Sequence, residues 1–189
     1  MSYRIYRTDA FVLRSRPHAE ADRMFTLYTD DFGLLYARAS GVRLERSKLR
    51  YALSDYSHVH VALVRGKAGW RLVGAIGGTP AMPHKKHLIA FARIASLVVR
   101  LVQGEDRNEY LFGTLGAARH SLEAGEDPEL IEIVSVSRIL HALGYVAPRP
   151  IDEHVFAEQA YESVSLERSR AALPQLIQRI NHTLSATQL

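Results

Sequence analysis

The chain contains no cysteine in its 189 residues, which excludes disulfides and thiolate metal sites. It also lacks a long apolar run. Nothing approaches the roughly 20 residues that a membrane-spanning helix needs, and the opening Met1-Ser-Tyr-Arg-Ile-Tyr-Arg7 lacks the apolar stretch of a secretory signal. The expectation is a cytoplasmic protein with no membrane partner. Catalytic motifs are equally scarce, with no phosphate-cradling P-loop, no dinucleotide-binding glycine fingerprint and no His-Glu-x-x-His. Gly74, Gly77 and Gly78 belong to a linker. His84 and His87 flank Lys85 and Lys86 with no carboxylate nearby, so they do not read as a metal pair. His58 and His60 alternate with Val59 and Val61 as the polar face of a strand. Glu20 and Asp22 lie at one end of a strand and Asp30 and Asp31 at the other, roughly 20 Å apart. Two-metal chemistry needs its carboxylates within a few ångströms. Ser135 and Ser137 sit on a helix without an evident base. The reading is a non-enzyme with no catalytic residue, no cofactor and no metal.

What the chain does have is unevenly placed positive charge. Residues 1–78 carry 13 Lys+Arg against 7 Asp+Glu, whereas residues 79–189 carry 11 against 13. The basic front half suits a polyanion. Its densest stretch runs from Arg38 to Arg50, where Arg38, Arg43, Arg46, Lys48 and Arg50 are opposed only by Glu45. Such a run taken alone is a solvated surface. At the exit of a strand it becomes a platform for a phosphate backbone.

Periodicity divides the chain near residue 78. Strands are predicted over Thr8–Arg16, Arg23–Thr29 and Leu34–Gly41, with Asp30-Asp-Phe-Gly33 as a hairpin turn. One or two helical turns follow within Ser47–Tyr56, then strands over Ser57–Val64 and Trp70–Gly77. Three strands, a short helix and a two-stranded hairpin is the connectivity of an OB-fold barrel, although an SH3-like barrel or a sandwich fragment shares the pattern. After a linker at about 77–83, helices are expected over His87–Gln103 and from an Asp106/Glu109 capping box to about Glu123. Another is expected from an Asp127 cap with Pro128 at its first position, stopped by Gly144. Asp152 and Ser165 could cap further helices, the last running toward Leu184. The fold class is therefore α+β, a five-stranded N-terminal OB-fold β-barrel (residues 1–78) followed by an all-helical C-terminal domain (79–189).

In that setting the sequence resembles the RecO family of DNA-repair recombination mediators. The matching residues are Phe11-Val-Leu-Arg14, Glu20-Ala-Asp-Arg23, Leu27-Tyr-Thr29, Gly33-Leu-Leu35, Ala39-Ser-Gly-Val-Arg43, Ser47-Lys-Leu-Arg50 and Ile139-Leu-His-Ala-Leu-Gly-Tyr145 with Pro148. The resemblance implies binding of single- and double-stranded DNA, annealing of complementary strands, and loading of recombinase onto DNA coated by single-strand-binding protein. It implies RecR and the acidic C-terminal tail of single-strand-binding protein as partners. Members of the family often carry a cysteine zinc site after the step at Gly144-Tyr145. This chain departs there, and it is short for the family.

The expected DNA-binding residues are Arg14, Arg38, Arg43, Arg46, Lys48 and Arg50 for phosphates, with Tyr36 to stack a base. Tyr28 and Trp70 are weaker stacking candidates, and Phe11 and Phe25 read as core. Arg93, Arg100 and Arg138 lie on apolar helices, where they either pair the acidic tail or snorkel at the bundle surface. Two other readings stand beside this one. The barrel could be an adaptor for RNA or a protein partner, because fold alone does not decide, or the acids at Asp22 and Asp30 could serve a metal-dependent nuclease.

Overall fold

β1 (Ile5–His18) is long enough to serve two neighbours. In the computed structural model its first half pairs with β4 (His58–Gly66) and its second half with β2 (Asp22–Thr29), both antiparallel. β2 pairs with β3 (Gly33–Ala39), and β3 closes onto β5 (Gly69–Gly77) in parallel through Ala37–Trp70 and Arg38–Arg71. The strand order is a closed barrel, β1-β2-β3-β5-β4, with the short helix α1 (Leu49–Ala52) between β3 and β4. This is the expected OB topology. The structure describes all residues except 1–3, 46, 48, 80, 81, 83 and 187–189, and leaves out the side chains of 50, 51 and 159.

Alternation sends Ala10 and Val12 of β1, Phe25 and Leu27 of β2, and Leu35 and Ala37 of β3 into the barrel core with Val61, Leu63 and Leu72. A bulge between Val12 and Arg14 reverses that parity along β1. Leu13 is the extra residue, and beyond it Arg14 and Arg16 point outward while Ser15 turns in to bond Asp55 Oδ1 at 2.6 Å. Without the bulge both arginines would face apolar side chains. Tyr6 meets Phe32 and Trp70 edge to face and Phe32 meets Trp70 at a tilt, with centroids 5.3–5.5 Å apart, and the three rings pack at the barrel core.

Contacts divide the chain into two units, Met1–Ala81 with Gln103–Phe112, and Met82–Val102 with Gly113–Leu189. The segment 103–112 therefore packs on the barrel although helices flank it in sequence. Phe112 lies against Phe11 at 5.0 Å, and the Tyr28 hydroxyl donates to the Asn108 carbonyl. Tyr28 and Phe11, on the outer surface of the sheet, are thereby buried. Each such side chain contributes roughly 1.5–3 kcal/mol when removed from water. Burial pushes the Tyr28 phenol well above its usual value, with Asp30 adding to the effect.

The second unit holds α2 (Lys85–Leu101), most of α3 (Glu109–Glu123), α4 (Pro128–Ala142), α5 (Glu153–Phe156), a 3₁₀ turn (Glu158–Tyr161) and α6 (Ser163–Ala186). α4 is its hub and packs on α2, α5 and α6. Asp127 caps α4 as expected, its Oδ1 accepting the Glu129 N–H at 3.1 Å with Pro128 behind it. α3 differs from expectation. Asn108, not Asp106, accepts the Leu111 N–H at 2.9 Å, because the Asp106 backbone is packed against Gly33. Asp152 precedes α5 without capping it, and accepts instead from Arg149 N–H and the Arg179 guanidinium. α6 starts at Ser163 and continues through Pro174 as one helix. Among the described residues no helix is long and apolar enough to cross a membrane.

Candidate nucleic-acid interface

Strand register lays the outer surface of β1, β2 and β3 out in rows. One end of this face is closed over Phe11 and Tyr28 by the 103–112 segment, and the other end is open and cationic. Its first row is Arg14–Thr26–Tyr36 and its second is Arg16–Met24–Arg38, which the β3–β5 pairing extends to Arg71. Arg14, Arg16, Arg38, Arg71 and Tyr36 are all exposed, Tyr36 by 51%. Thr26, the floor between Arg14 and Tyr36, is buried. Arg14 Nε reaches Thr26 Oγ1 at 3.4 Å. Among the described residues neither Arg16 nor Arg71 has a carboxylate partner. Like charges in register on one face destabilise a sheet, and a bound polyanion relieves that repulsion.

Arg38 is held differently. Its guanidinium makes a 2.6 Å ion pair with Asp22, and the other Asp22 oxygen accepts the Gly41 N–H at 2.8 Å. The Gly41 amide first, then Arg38, hold the Asp22 carboxyl below the usual carboxylate range. Gly41 adopts φ +66°, a left-handed conformation open to glycine at low cost. Arg43 donates from Nη1 to the Glu20 carbonyl at 2.9 Å, and its backbone N–H donates to Ala21 O. Arg38 and Arg43 thus shape the loop as well as charging it. Arg46 and Lys48 lie outside the described residues, and so does the Arg50 side chain. Of the aromatic candidates, only Tyr36 is exposed. Tyr28, Trp70, Phe11 and Phe25 are all buried. Asp22 and Asp30 stand at opposite ends of β2, and among the described residues no three His, Asp or Glu side chains converge as metal ligands.

Two members of the open face were absent from the sequence reading. Arg16 follows Arg14 by two residues, and that spacing was a visible signal of a shared strand face. Arg71 left none, since only the parallel closure of β5 on β3 brings it beside Arg38.

The helical arginines separate into two kinds. Arg93 and Arg100 line a groove of about 580 Å³ bounded by α2, α4 and α6, over a floor that includes Ile133, Val136 and Ile180. Arg93 pairs with Glu132 at 3.2 Å. Arg138 does not reach the groove. It is buried, and its guanidinium bonds Thr114 Oγ1 at 3.2 Å, the Val155 carbonyl at 3.2 Å and the Ala157 carbonyl. Its place is inside the bundle, tying residues 155–157 to α4.

A closed barrel in this strand order, with its helix between the third and fourth strands and a helical unit after it, defines an OB-fold protein of two-unit α+β architecture. Residues 1–72 match the family model described as Recombination protein O N terminal, so the barrel is a RecO-family N-terminal domain. It is 29% identical over 153 residues to the DNA repair protein RecO of Desulfitobacterium hafniense (strain DSM 10664 / DCB-2), covering 78% of this chain and 55% of that one. Against the protein of the same name from Pelotomaculum thermopropionicum identity is 30% over 147 residues, 75% of this chain and 56% of the relative. A shorter match to that of Heliobacterium modesticaldum reaches 47% over 64 residues, 34% of this chain and 23% of the relative. The chain spans about half the length of the curated relatives it matches.

Proposed function

We propose that this protein is a non-catalytic recombination mediator in DNA repair, which binds single- and double-stranded DNA on the open end of the β1–β2–β3 face and anneals complementary strands. The observation that carries the reading is the Arg16–Met24–Arg38–Arg71 row beside Tyr36. Guanidiniums hold phosphates, the tyrosine ring stacks a base, and base edges elsewhere along the strand stay free to pair. Kinship with proteins named for DNA repair supports DNA as the polyanion. The expected DNA-binding set is Arg14, Tyr36, Arg38, Arg43, Arg46, Lys48 and Arg50, to which we add Arg16 and Arg71. RecR and the acidic tail of single-strand-binding protein are the proposed protein partners, in the cytoplasm at the nucleoid. The groove holding Arg93 and Arg100 has the apolar floor and positive rim that such a tail needs.

The test is annealing of complementary oligonucleotides, with and without single-strand-binding protein. Acceleration in both conditions is the expected result. Binding of structured RNA in preference to either DNA form would replace this reading with the RNA adaptor, and divalent-metal-dependent cleavage would replace it with a nuclease.

A further inference from the structure

A second feature of the barrel is a pocket of about 320 Å³ lined by Arg23, Phe25, Val42, Arg43 and Leu53. Phe25, Val42 and Leu53 belong to the barrel core, so the pocket is a mouth opening onto that core. Arg23 shares the inward parity of Phe25 and Leu27, and its register partner Ala39 is fully buried. An arginine in that orientation is unusual, and here its Nε is buried without a hydrogen-bond partner among the described residues. Leaving a buried donor unpaired is costly. The nearest carboxylate in sequence, Asp22, cannot relieve it, because it is engaged with Arg38 and Gly41. Arg43, across the pocket, is already positioned by the Glu20 and Ala21 carbonyls. A guanidinium has five donors, so most of Arg43's remain available.

The chemistry of this lining selects among ligands. Two guanidiniums alone would suit a phosphate, but a phosphate would be set against Phe25, Val42 and Leu53. A flat group with an apolar face and an acceptor edge satisfies both parts of the lining, and the volume lies at the small end of the ~300–1,000 Å³ range of ligand pockets. We propose that the pocket takes one unstacked nucleobase of a bound single strand, with guanine preferred. The inference rests on the nucleic-acid reading of the barrel. Guanine presents O6 and N7 as adjacent acceptors to an arginine fork, whereas adenine places a donor beside N7.

The experiment measures fluorescence anisotropy of the full chain with oligothymidine and with the same oligonucleotide carrying one central dG. A single guanine is expected to tighten binding roughly tenfold, within the range of one good bidentate contact. Hypoxanthine in its place keeps O6 and N7 and should retain the gain. The 7-deazaguanine version, which lacks N7, should lose it. Arg23→Lys should abolish the preference while oligothymidine affinity stays within about twofold, and Arg43→Gln should weaken the preference. The deaza arm needs no substitution and so stands even if a variant misfolds. Equal affinity for all oligonucleotides, or a guanine preference unchanged in Arg23→Lys, overturns the pocket assignment alone. Failure of oligothymidine itself to bind overturns the nucleic-acid reading and the pocket with it.

Discussion

Arg38 and Asp22 form a clasp in which Arg38 Nε and Nη2 both reach Asp22 Oδ2, at 2.7 and 2.6 Å, while Oδ1 takes the Gly41 amide at 2.8 Å. One carboxylate thus joins the start of β2, the end of β3 and the basic loop after it. The Asp22 pKa lies below its unfolded value of about 3.8. The clasp therefore contributes its full stability above that value and loses it as the pH falls through the lower folded value. Hydrogen exchange at Gly41–Arg43 is expected to accelerate as the pH falls through that window, beyond the intrinsic pH trend. Asp22→Asn should show the faster exchange already at neutral pH and little further change in acid. Identical protection in the variant would mean that the clasp does not order the loop.

Gly33 makes a different demand. It sits at φ +63°, and a Cβ there would come 2.1 Å from the Asp106 carbonyl oxygen. Gly69 also has positive φ, at +99°, but a Cβ would meet nothing within 4 Å. Gly69→Ala measures the backbone cost alone, about 1–2 kcal/mol. Gly33→Ala adds displacement of the 103–112 segment from the barrel, so its loss in urea denaturation should be clearly larger. Tyr28, now capped by that segment, should become accessible to chemical nitration. Equal losses in the two variants would refute the contact.

Arg138 supplies the third case. Arg138→Met keeps most of the buried volume but removes the donors to the Val155 and Ala157 carbonyls. Stranding buried acceptors costs roughly 1–3 kcal/mol each, so denaturation should show a loss of a few kcal/mol and proteolysis should open the chain near 155–161. Arg138→Lys should not rescue, because a single ammonium cannot span Thr114 and both carbonyls. No effect on binding to an acidic peptide is expected beyond that of stability.

Strand order was legible because the strands carry apolar runs or alternation and the turns at Asp30–Gly33 and Gly66–Gly69 carry glycine, whereas the β1–β2 turn has no glycine and rests on Ala19 at φ +54°. The face that the strands build was less so. Arg14 and Arg16 point outward only because Leu13 is an extra residue in the ladder, and no local preference marks a bulge there. Arg71 depends on a parallel pairing between strands more than thirty residues apart. Tyr28 reads as an ordinary outer-face aromatic until the 103–112 segment covers it, and that segment reads as a helix start because Asp106 and Glu109 have capping-box spacing. Asn108 takes the cap once Asp106 is committed to Gly33. Arg138 looked like a surface cation on an apolar helix, since periodicity locates a face but not the carbonyls waiting opposite it.

The open face yields the last prediction, because its two kinds of contact respond differently to salt. Each phosphate contact on a single strand contributes about −0.7 to the slope of log affinity against log salt. Arg16→Gln and Arg71→Gln should each flatten the slope by about that amount and weaken binding most at low salt. Arg38→Gln should do less, because Asp22 already neutralises that guanidinium and a phosphate must compete with it. Tyr36→Ala should cost roughly 1–3 kcal/mol while leaving the slope unchanged, since stacking releases no counterions. Tyr36→Phe should bind like the parent, because the ring rather than the hydroxyl makes the contact. A salt titration of these five proteins on one oligonucleotide separates the contributions. If Arg16→Gln and Arg71→Gln leave the slope unchanged while the parent binds, the strand runs elsewhere on the barrel and the row of arginines is only a solvated surface.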